Sequence, residues 1–396
     1  MHLGARFGMR VKDFKWFCPQ PFVSLFTQTT GVYKPCCVMY IDEETVGIKY
    51  QPAETHTHTP KEFYQSQPMQ DLRHAMKIGD FQFLNKFCKV CINKEKIGAR
   101  SARQFYNEEF LHEYKDKKKI LDDAINKDYP EFFYSVEPTS LITNFCNLSC
   151  NMCHSAVSSG VHNESVTLHE IPNSTGKIAK HTKEFYSQLE YALNHCCEVK
   201  LVGGETVLSP NLYFILDLIK DPSDINLKIA TNGTSLPRKF IEYCKKFRQV
   251  FVSFSLEGVG KVNEYIRYPS KWNKIKKNLD TYHSFAKVNI AATVNALNVG
   301  QVHKLKKLDP DVSYTMVTNN FYSLNSVPPI LVDKYLNILY QNRDIDIIKF
   351  FEKDYNFNDE AMVRMLMHIC RRDKLRNTNL LSVFPEWRPY YENICS

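Results

Sequence analysis

The chain has 396 residues with 43% hydrophobic side chains, 14 glycines and 18 prolines, which excludes fibrous and disordered proteins and predicts about two or three domains. Its 13 cysteines are too sparse for a small disulfide-stapled secreted domain, and its net charge of +8 comes from scattered lysines that indicate only a weak preference for acidic partners. The sequence contains no apolar run of about 18 residues, the length that predicts a membrane span. Charges near the first residues argue against a signal peptide. We therefore expect a cytoplasmic protein whose clustered cysteines are metal ligands or catalytic groups.

The amino-terminal cysteines fall in two groups, separated by a polar segment with prolines at positions 52, 60 and 68 that we predict to be a linker. The second group has the C-x2-C spacing in FCKVCINKE, whose charges make a poor core pattern. Five unrelated buried cysteines are the alternative to a metal site. Zinc and an iron-sulfur cluster are both chemically sound for a closed four-thiolate site drawn from Cys18, Cys36 or Cys37, Cys88 and Cys91.

From Tyr134 onward, short apolar runs alternate with longer amphipathic stretches, which is typical of strand-helix units around a parallel sheet. Helical periodicity is found at 183–193, 212–219, 237–247, 272–285 and 302–308. The carboxyl ends of such strands collect functional residues. The predicted strands suit a partial barrel and lie at 135–141, 198–202, 227–230, 250–255, 288–294 and 313–317.

Three cysteines, Cys146, Cys150 and Cys153, follow the first of these strands in the polar setting TNFCNLSCNMCHSA. Their spacing would also place them on one side of a helix, but the flanking Asn, Ser and Thr residues predict a loop at the end of a strand. Three thiolates from one loop suit an iron-sulfur cluster that keeps coordination positions open on one iron.

The later strands also end in polar motifs. LVGGETVLSP follows the second strand, where two glycines would let the backbone approach a ligand closely and Glu205 offers a carboxylate, although an ordinary turn is the more frequent role of such a segment. The third strand ends in the turn ATNGT, which contains Asn232. On the fourth strand, FVSFSLEG, the residues Ser253, Ser255 and Glu257 alternate with apolar side chains. A half-buried strand without a functional role would explain that alternation equally well.

The C-x3-C-x2-C spacing, with Gly203 placed 50 residues after Cys153, resembles the radical S-adenosylmethionine (SAM) enzymes, and the fourth strand resembles the SPASM/twitch type. The resemblance implies that a [4Fe-4S] cluster on the three cysteines reductively cleaves SAM to a 5′-deoxyadenosyl radical. That radical would abstract hydrogen from a substrate. The cofactor carries this chemistry, and the protein supplies binding and orientation.

The same resemblance implies which residues contact SAM. The Gly-Gly-Glu segment would hold the amino group, and the fourth strand and its loop would reach the ribose and methionine parts. This chain departs from the family in having Met152 where an aromatic residue is usual and Glu257 where aspartate is more frequent. The implied SAM contacts are Met152, Gly203, Gly204, Glu205, Asn232, Ser253, Ser255, Glu257, Arg267, Asn295 and Met316.

The resemblance also implies the domain order. Residues 1–130 resemble an auxiliary-cluster module, which relatives normally carry after the barrel rather than before it. Residues 131–320 are predicted to form a partial (β/α)6 radical SAM barrel, and residues 321–396 a helical cap over it. Five other cysteines have apolar or helical surroundings that predict a packing role only: Cys196, Cys197, Cys244, Cys370 and Cys395.

The expected protein is thus a radical SAM enzyme that modifies a peptide or protein, supplied with electrons by a flavodoxin or ferredoxin. A nucleotide or sugar substrate is an alternative that would suit the positive charge. A nucleic-acid partner is disfavoured, because no strip of aromatic and basic residues typical of single-strand binding is present. The competing hypothesis is a zinc-stabilised structural or interaction protein, which explains the thiols but not the later motifs.

Overall fold

The structure is a computed structural model that describes residues 16–39, 53–96, 100–113, 118–127, 129–173, 179–317 and 320–395. Each of the six strands predicted from the sequence overlaps an observed strand, which confirms the α/β class. Within the described residues the strands are β1 (Ser24–Thr27), β2 (Tyr33–Lys34), β3 (Phe133–Pro138), β4 (Cys196–Leu201), β5 (Asn226–Thr231), β6 (Gln249–Ser255), β7 (Lys287–Val294) and β8 (Ser313–Met316).

Helices precede β3, alternate with the later strands and form most of the chain after β8. Within the described ranges, no helix has both the length and the apolar character that crossing a membrane requires. The helices are α1 (Gln20–Val23), α2 (Pro60–Gln65), α3 (Gln67–Ile78), α4 (Phe81–Phe87), α5 (Lys89–Lys96), α6 (Ala102–Glu113), α7 (Lys118–Ile125), α8 (Thr139–Ile142), α9 (Ser159–Thr167), α10 (Lys183–Asn194), α11 (Leu212–Asp217), α12 (Arg238–Cys244), α13 (Lys261–Ile266), α14 (Trp272–His283), α15 (Pro329–Gln341), α16 (Ile345–Lys353), α17 (Asp359–Arg376) and α18 (Arg388–Cys395).

The segment predicted to be a polar linker is helical instead over α2 and α3. Thr59 caps α2 with a capping box, in which its hydroxyl accepts from the Glu62 amide and the Glu62 carboxylate accepts from the Thr59 amide. Pro60 and Pro68 lie in the first turns of α2 and α3, where a missing amide hydrogen costs no helical hydrogen bond. Pro52, the remaining proline of that prediction, lies outside the described residues.

The described chain divides into two compact units. The first contains the described residues up to Leu141, those from 179 to 200, and Phe214–Ile225. In it, β1 pairs in parallel with β3 through Ser24 and Ser135, and β3 pairs in parallel with β4. The predicted boundary near residue 130 lies inside this unit rather than at its edge. The reason is that hydrogen bonds between β1 and β3 join the amino-terminal residues to the first predicted barrel strand.

The second unit contains residues 142–173, Leu201–Tyr213 and 226–395 of the described chain. Its strands β5, β6, β7 and β8 pair in parallel in that order. Along β6 the apolar residues Val250, Val252 and Phe254 are buried, whereas the residues between them are half-buried. One face of this strand therefore packs into the core, as its alternation predicts. The segment predicted as a helix at 302–308 is a 3-10 helix, Val302–Lys307.

The carboxyl-terminal residues are helical, as predicted, and share a hydrophobic core with the strand-helix units of the second unit. Residues of α15 to α18 pack in one cluster with Ile266 of α13 and Val294 of β7. The prediction that Cys370 and Cys395 only fill space is wrong. The structure joins them in a disulfide between α17 and α18, with Cα atoms 5.8 Å apart, because helix packing brings the two side chains together.

Candidate cofactor site

The three cysteines of the C-x3-C-x2-C motif lie in an extended loop between α8 and α9, as their polar setting predicts. The loop begins after Thr143, whose φ of 67° is in the left-handed region. On both sides of Cys150, hydrogen bonds join the loop to the end of α13 and the segment that follows it. The amide of Ser149 donates to the Tyr268 carbonyl at 2.7 Å, and the amide of Asn151 donates to the Ile266 carbonyl at 2.9 Å.

Burial controls the chemistry of the three thiols. Cys150 is buried, and Cys146 and Cys153 are half-buried. Burial raises the pKa of all three, that of Cys150 to about 12, while the nearby Arg267 guanidinium lowers each of them. The thiols are therefore protonated at neutral pH and must release protons when they bind a metal.

The donor set suits a polynuclear cluster better than a single ion. Among the residues that the structure describes, no three His, Cys, Asp or Glu side chains converge closely enough to hold one metal ion. In an iron-sulfur cube each thiolate binds a different iron, so its ligands stand farther apart than those of one zinc ion. Besides burial, the nearby Cys153 and Cys146 raise the pKa of Cys150, and Cys146 raises the pKa of Cys153.

Gly203 and Gly204 lie directly against the beginning of the cysteine loop. The amide of Gly204 donates to the Thr143 carbonyl at 3.0 Å, and the amide of Glu205 donates to the Phe145 carbonyl at 2.7 Å. A Cβ atom on Gly204 would lie 2.5 Å from the Asn144 carbonyl oxygen, and one on Gly203 would lie 2.7 Å from that of Thr143. Only glycine permits this close approach of two backbones.

The Glu205 carboxylate is 1% exposed and is occupied by protein donors. It accepts hydrogen bonds from the Thr231 hydroxyl at 2.7 Å, the Asn232 amide at 2.6 Å and the Val207 amide at 3.3 Å. Burial raises the pKa of Glu205, and these donors oppose the rise. The carboxylate therefore joins the Gly-Gly-Glu segment to the end of β5, and its contact with SAM stays a prediction.

The side chain of Asn232 extends from the end of β5 to the cysteine loop. Its amide nitrogen donates to Asn147 Oδ1 at 3.0 Å and lies 3.9 Å from the Cys146 sulfur. Its oxygen accepts from the amide of Thr234 at 2.9 Å and from the hydroxyl at 2.6 Å. Asn147 and Thr234 were not among the predicted site residues, although both lie within the polar motifs.

Glu257 and Arg267 form an ion pair with each other. The guanidinium pairs with both carboxylate oxygens, with 2.9 Å between Nη2 and Oε1, and Glu257 is fully buried. Arg267 Nη1 also lies 3.9 Å from the Cys150 sulfur. A cation thus lies beside the three cysteines, whereas the sequence resemblance assigned both residues to SAM.

The remaining predicted SAM contacts are distributed around the same unit. Ser253 and Ser255 are half-buried on the polar face of β6. Asn295 is buried in a tight turn, where its side chain accepts from the Leu297 amide at 3.0 Å. Met152 of the cysteine loop and Met316 of β8 are partly buried against the same hydrophobic cluster.

A second group of cysteines surrounds a small, largely apolar cavity in the first unit. Cys37 does not line this cavity. Its sulfur lies 3.3 Å from the Tyr106 hydroxyl instead. Burial raises the pKa of each lining thiol, that of Cys88 to about 12. The cavity is lined by Cys18, Cys36, Cys88 and Cys91, together with Arg103, Tyr106 and apolar residues.

Comparison with known families and proteins identifies the central part of the chain. Residues 140–308 match the model of the Radical SAM superfamily. The chain is 26% identical over 188 residues to a probable GTP 3′,8-cyclase of Methanocaldococcus jannaschii. The aligned region covers 46% of this chain and 58% of that protein. It is 29% identical over 118 residues to a probable GTP 3′,8-cyclase of Methanococcus maripaludis, over 30% of this chain and 33% of the relative. The chain thus spans about a third of the M. maripaludis proteins.

Two solved structures are also similar. Streptococcus suis SuiB bound to S-adenosylmethionine matches over 85% of this chain and 71% of its own, with 15% identity and a TM-score of 0.37. TYW1 with a lysine-pyruvate adduct matches over 51% of this chain and 70% of its own, with 14% identity and a TM-score of 0.29. The family model alone thus identifies residues 140–308 as a domain of the Radical SAM superfamily.

Proposed function

We propose that the chain cleaves SAM reductively at a [4Fe-4S] cluster held by Cys146, Cys150 and Cys153. The observation that supports this proposal best is that the family match spans the cysteine loop, the Gly-Gly-Glu segment and β6. When bound, the cluster supplies the electron that converts SAM to a 5′-deoxyadenosyl radical able to abstract hydrogen from a substrate.

The residues of the chain have distinct roles in this proposal. The three cysteines give up protons when they bind iron, and the Arg267 cation offsets part of the negative charge gained there. Asn232, 3.9 Å from the Cys146 sulfur, offers an amide donor to that ligand. Gly203 and Gly204 let their backbone pack against the cysteine loop, and the Gly-Gly-Glu segment is the proposed contact to the amino group of SAM. Ser253 and Ser255 are proposed contacts to the ribose and methionine parts of SAM.

The test is anaerobic purification, followed by assays for iron, acid-labile sulfide, zinc and reductant-dependent 5′-deoxyadenosine. Cys150→Ala should abolish 5′-deoxyadenosine formation, whereas Cys244→Ala, which alters a buried cysteine of α12, should retain it. Zinc without sulfide in the wild-type chain would instead support the structural-protein hypothesis. Unchanged SAM cleavage by Cys150→Ala would show that other ligands hold the cluster.

We propose a second metal cluster, iron-sulfur or zinc, in the cavity of the first unit, with Cys18, Cys36, Cys88 and Cys91 as its ligands. The position of all four thiols on one cavity supports this ligand set, and it favours Cys36 over Cys37 in the proposal. The four thiols do not converge closely enough in this structure to hold one zinc ion, so zinc binding would require them to move together. Such a cluster could accept an electron from the product or anchor the substrate.

For the substrate we propose a peptide or protein, on the resemblance of β6 and its loop to SPASM/twitch enzymes. A nucleotide is the second candidate, because the relatives from M. jannaschii and M. maripaludis carry the name probable GTP 3′,8-cyclase. The two substrate classes are distinguished by adding either GTP or a peptide extract of cells that produce the protein to the reduced protein with SAM. The true substrate class should increase 5′-deoxyadenosine formation. A flavodoxin or ferredoxin is the proposed electron donor.

A further inference from the structure

We infer that Arg376, at the end of α17, is a positioning residue that fixes the cysteine loop for cluster binding. This inference rests on the proposed function of Cys146, Cys150 and Cys153. Arg376 lies 68 residues beyond the segment that matches the Radical SAM superfamily, which ends at residue 308. The carboxyl-terminal helices would then be part of the cluster site rather than only a cover.

The Arg376 guanidinium holds the loop on both sides of Cys150. Nη1 donates to Asn151 Oδ1 at 2.5 Å, and Nη2 donates to the Ser149 carbonyl at 2.5 Å. The amides of Ser149 and Asn151 are themselves bound to the Tyr268 and Ile266 carbonyls. Each neighbour of Cys150 is therefore tied at two points, which restricts where its sulfur can lie.

The same guanidinium forms a buried ion pair with Glu164 of α9. Nε lies 2.9 Å from Oε1, and Nη2 lies 2.6 Å from Oε2. Its carbon lies 4.8 Å from the centre of the Tyr268 ring. The Arg376 side chain is 3% exposed, so this planar donor is fixed by partners rather than by solvent. Because α9 follows the loop directly, Arg376 contacts the loop and the helix after it.

The helix that carries Arg376 is itself anchored. Asp373, one turn earlier, accepts hydrogen bonds from Tyr265 at 3.0 Å, Tyr391 at 2.8 Å and the Leu380 amide at 2.8 Å. Arg372 pairs with Glu170 at 3.2 Å. A rigid support of this kind transmits its position to the groups that it holds, as the hydrogen-bonding partners of metal ligands do.

The experiment measures the rate at which reconstituted wild-type and variant chains lose iron to a chelator under anaerobic conditions. The melting temperature of each chain and the electron paramagnetic resonance spectrum of its reduced form are recorded as well. Arg376→Gln should lose iron roughly 10-fold faster than wild type and show an altered spectrum. Arg376→Lys, which keeps the charge, should recover part of the loss. Arg364→Gln is the matched control on the same helix, because Arg364 is 68% exposed and pairs only with Glu360 among the described residues.

Iron loss from Arg376→Gln at the wild-type rate, with a wild-type spectrum, would overturn the inference while leaving the proposed function intact. A wild-type chain that takes up no iron and sulfide would overturn the proposed function and this inference with it. If Arg376→Gln does not fold, Asn151→Ala removes the Nη1 contact from the loop side. That variant should also lose iron faster, and an unchanged rate would count against the inference.

Discussion

The carboxylate of Glu257, after β6, and the guanidinium of Arg267, after α13, form a two-point ion pair in which Glu257 is fully buried. The Thr293 amide also donates to this carboxylate at 3.3 Å. The pair connects the segments that follow β6 and α13 with β7. Arg267 is thereby held with Nη1 near Cys150.

Breaking this pair should destabilise the second unit strongly. Glu257→Gln leaves a buried cation without its partner, so we expect the free energy of unfolding to fall by about 3–5 kcal/mol. Urea denaturation measures the change. Glu392→Gln in the exposed pair with Arg388 serves as control and should change stability little. The double variant Glu257→Leu, Arg267→Met should be more stable than Glu257→Gln, and a less stable one would contradict this explanation.

Gly204→Ala should prevent cluster binding by displacing the start of the cysteine loop. The added Cβ would lie 2.5 Å from the Asn144 carbonyl oxygen, and backbone atoms cannot turn aside as a flexible side chain can. We expect a loss of stability of about 3 kcal/mol together with lower iron content, measured by denaturation and by iron analysis. Gly260→Ala is the control and should keep its iron. Gly260 also has a positive φ, 64°, but a Cβ atom added there would meet no atom within 4 Å.

His368 should make the chain less stable in mild acid. Burial, with nearby Arg372, Arg376 and Arg371, lowers the pKa of His368 from 6.5 to about 2. Below pH 6.5 the unfolded chain takes up a proton that the folded chain refuses, so stability falls as the pH falls. Between pH 7.5 and pH 5.5 this effect is about 1.4 kcal/mol.

His368→Gln should remove that contribution, which thermal or urea unfolding at several pH values can measure. The Tyr322 hydroxyl lies 2.9 Å from His368 Nδ1, and His368→Asn, whose amide takes the position of Nδ1, is a second uncharged variant that keeps a partner for Tyr322. The exposed His283, changed to Gln, is the control and should leave the pH dependence as it is in the wild type. A His368→Gln chain with the full wild-type acid sensitivity would refute the prediction.

Cys36 and Cys37 should differ in their effect on the metal content of the chain. Cys36 lines the cavity with the other three thiols, whereas Cys37 lies against Tyr106. Cys36→Ser should therefore lower the metal bound by the first unit, and Cys37→Ser should not. Metal and sulfide analysis of both variants, made in a Cys150→Ala background that lacks the first cluster, isolates this effect. Equal metal content in the two variants would remove the proposed ligand set.

The sequence alone determined the features that depend on short-range pattern. Alternating apolar runs predicted the parallel strands, because the period of side chains along a strand is a local property. The polar residues around Cys150 predicted a loop. The glycines of the Gly-Gly-Glu segment predicted a close backbone approach to a ligand, whereas in the structure they lie against the backbone of the cysteine loop. The prediction that Cys370 and Cys395 have only a packing role was wrong. They lie 25 residues apart, and no sequence pattern indicates that they pair.

Only the tertiary structure decided which distant groups meet. Nothing near Arg376 in the sequence indicates that it contacts Ser149 and Asn151, 227 and 225 residues away. Likewise, adjacent Cys36 and Cys37 are equivalent as ligands in the sequence, and only their directions in the fold separate them. The identity of a side chain defines the bonds that it can make, but the packing of helices and strands defines which partner lies within reach.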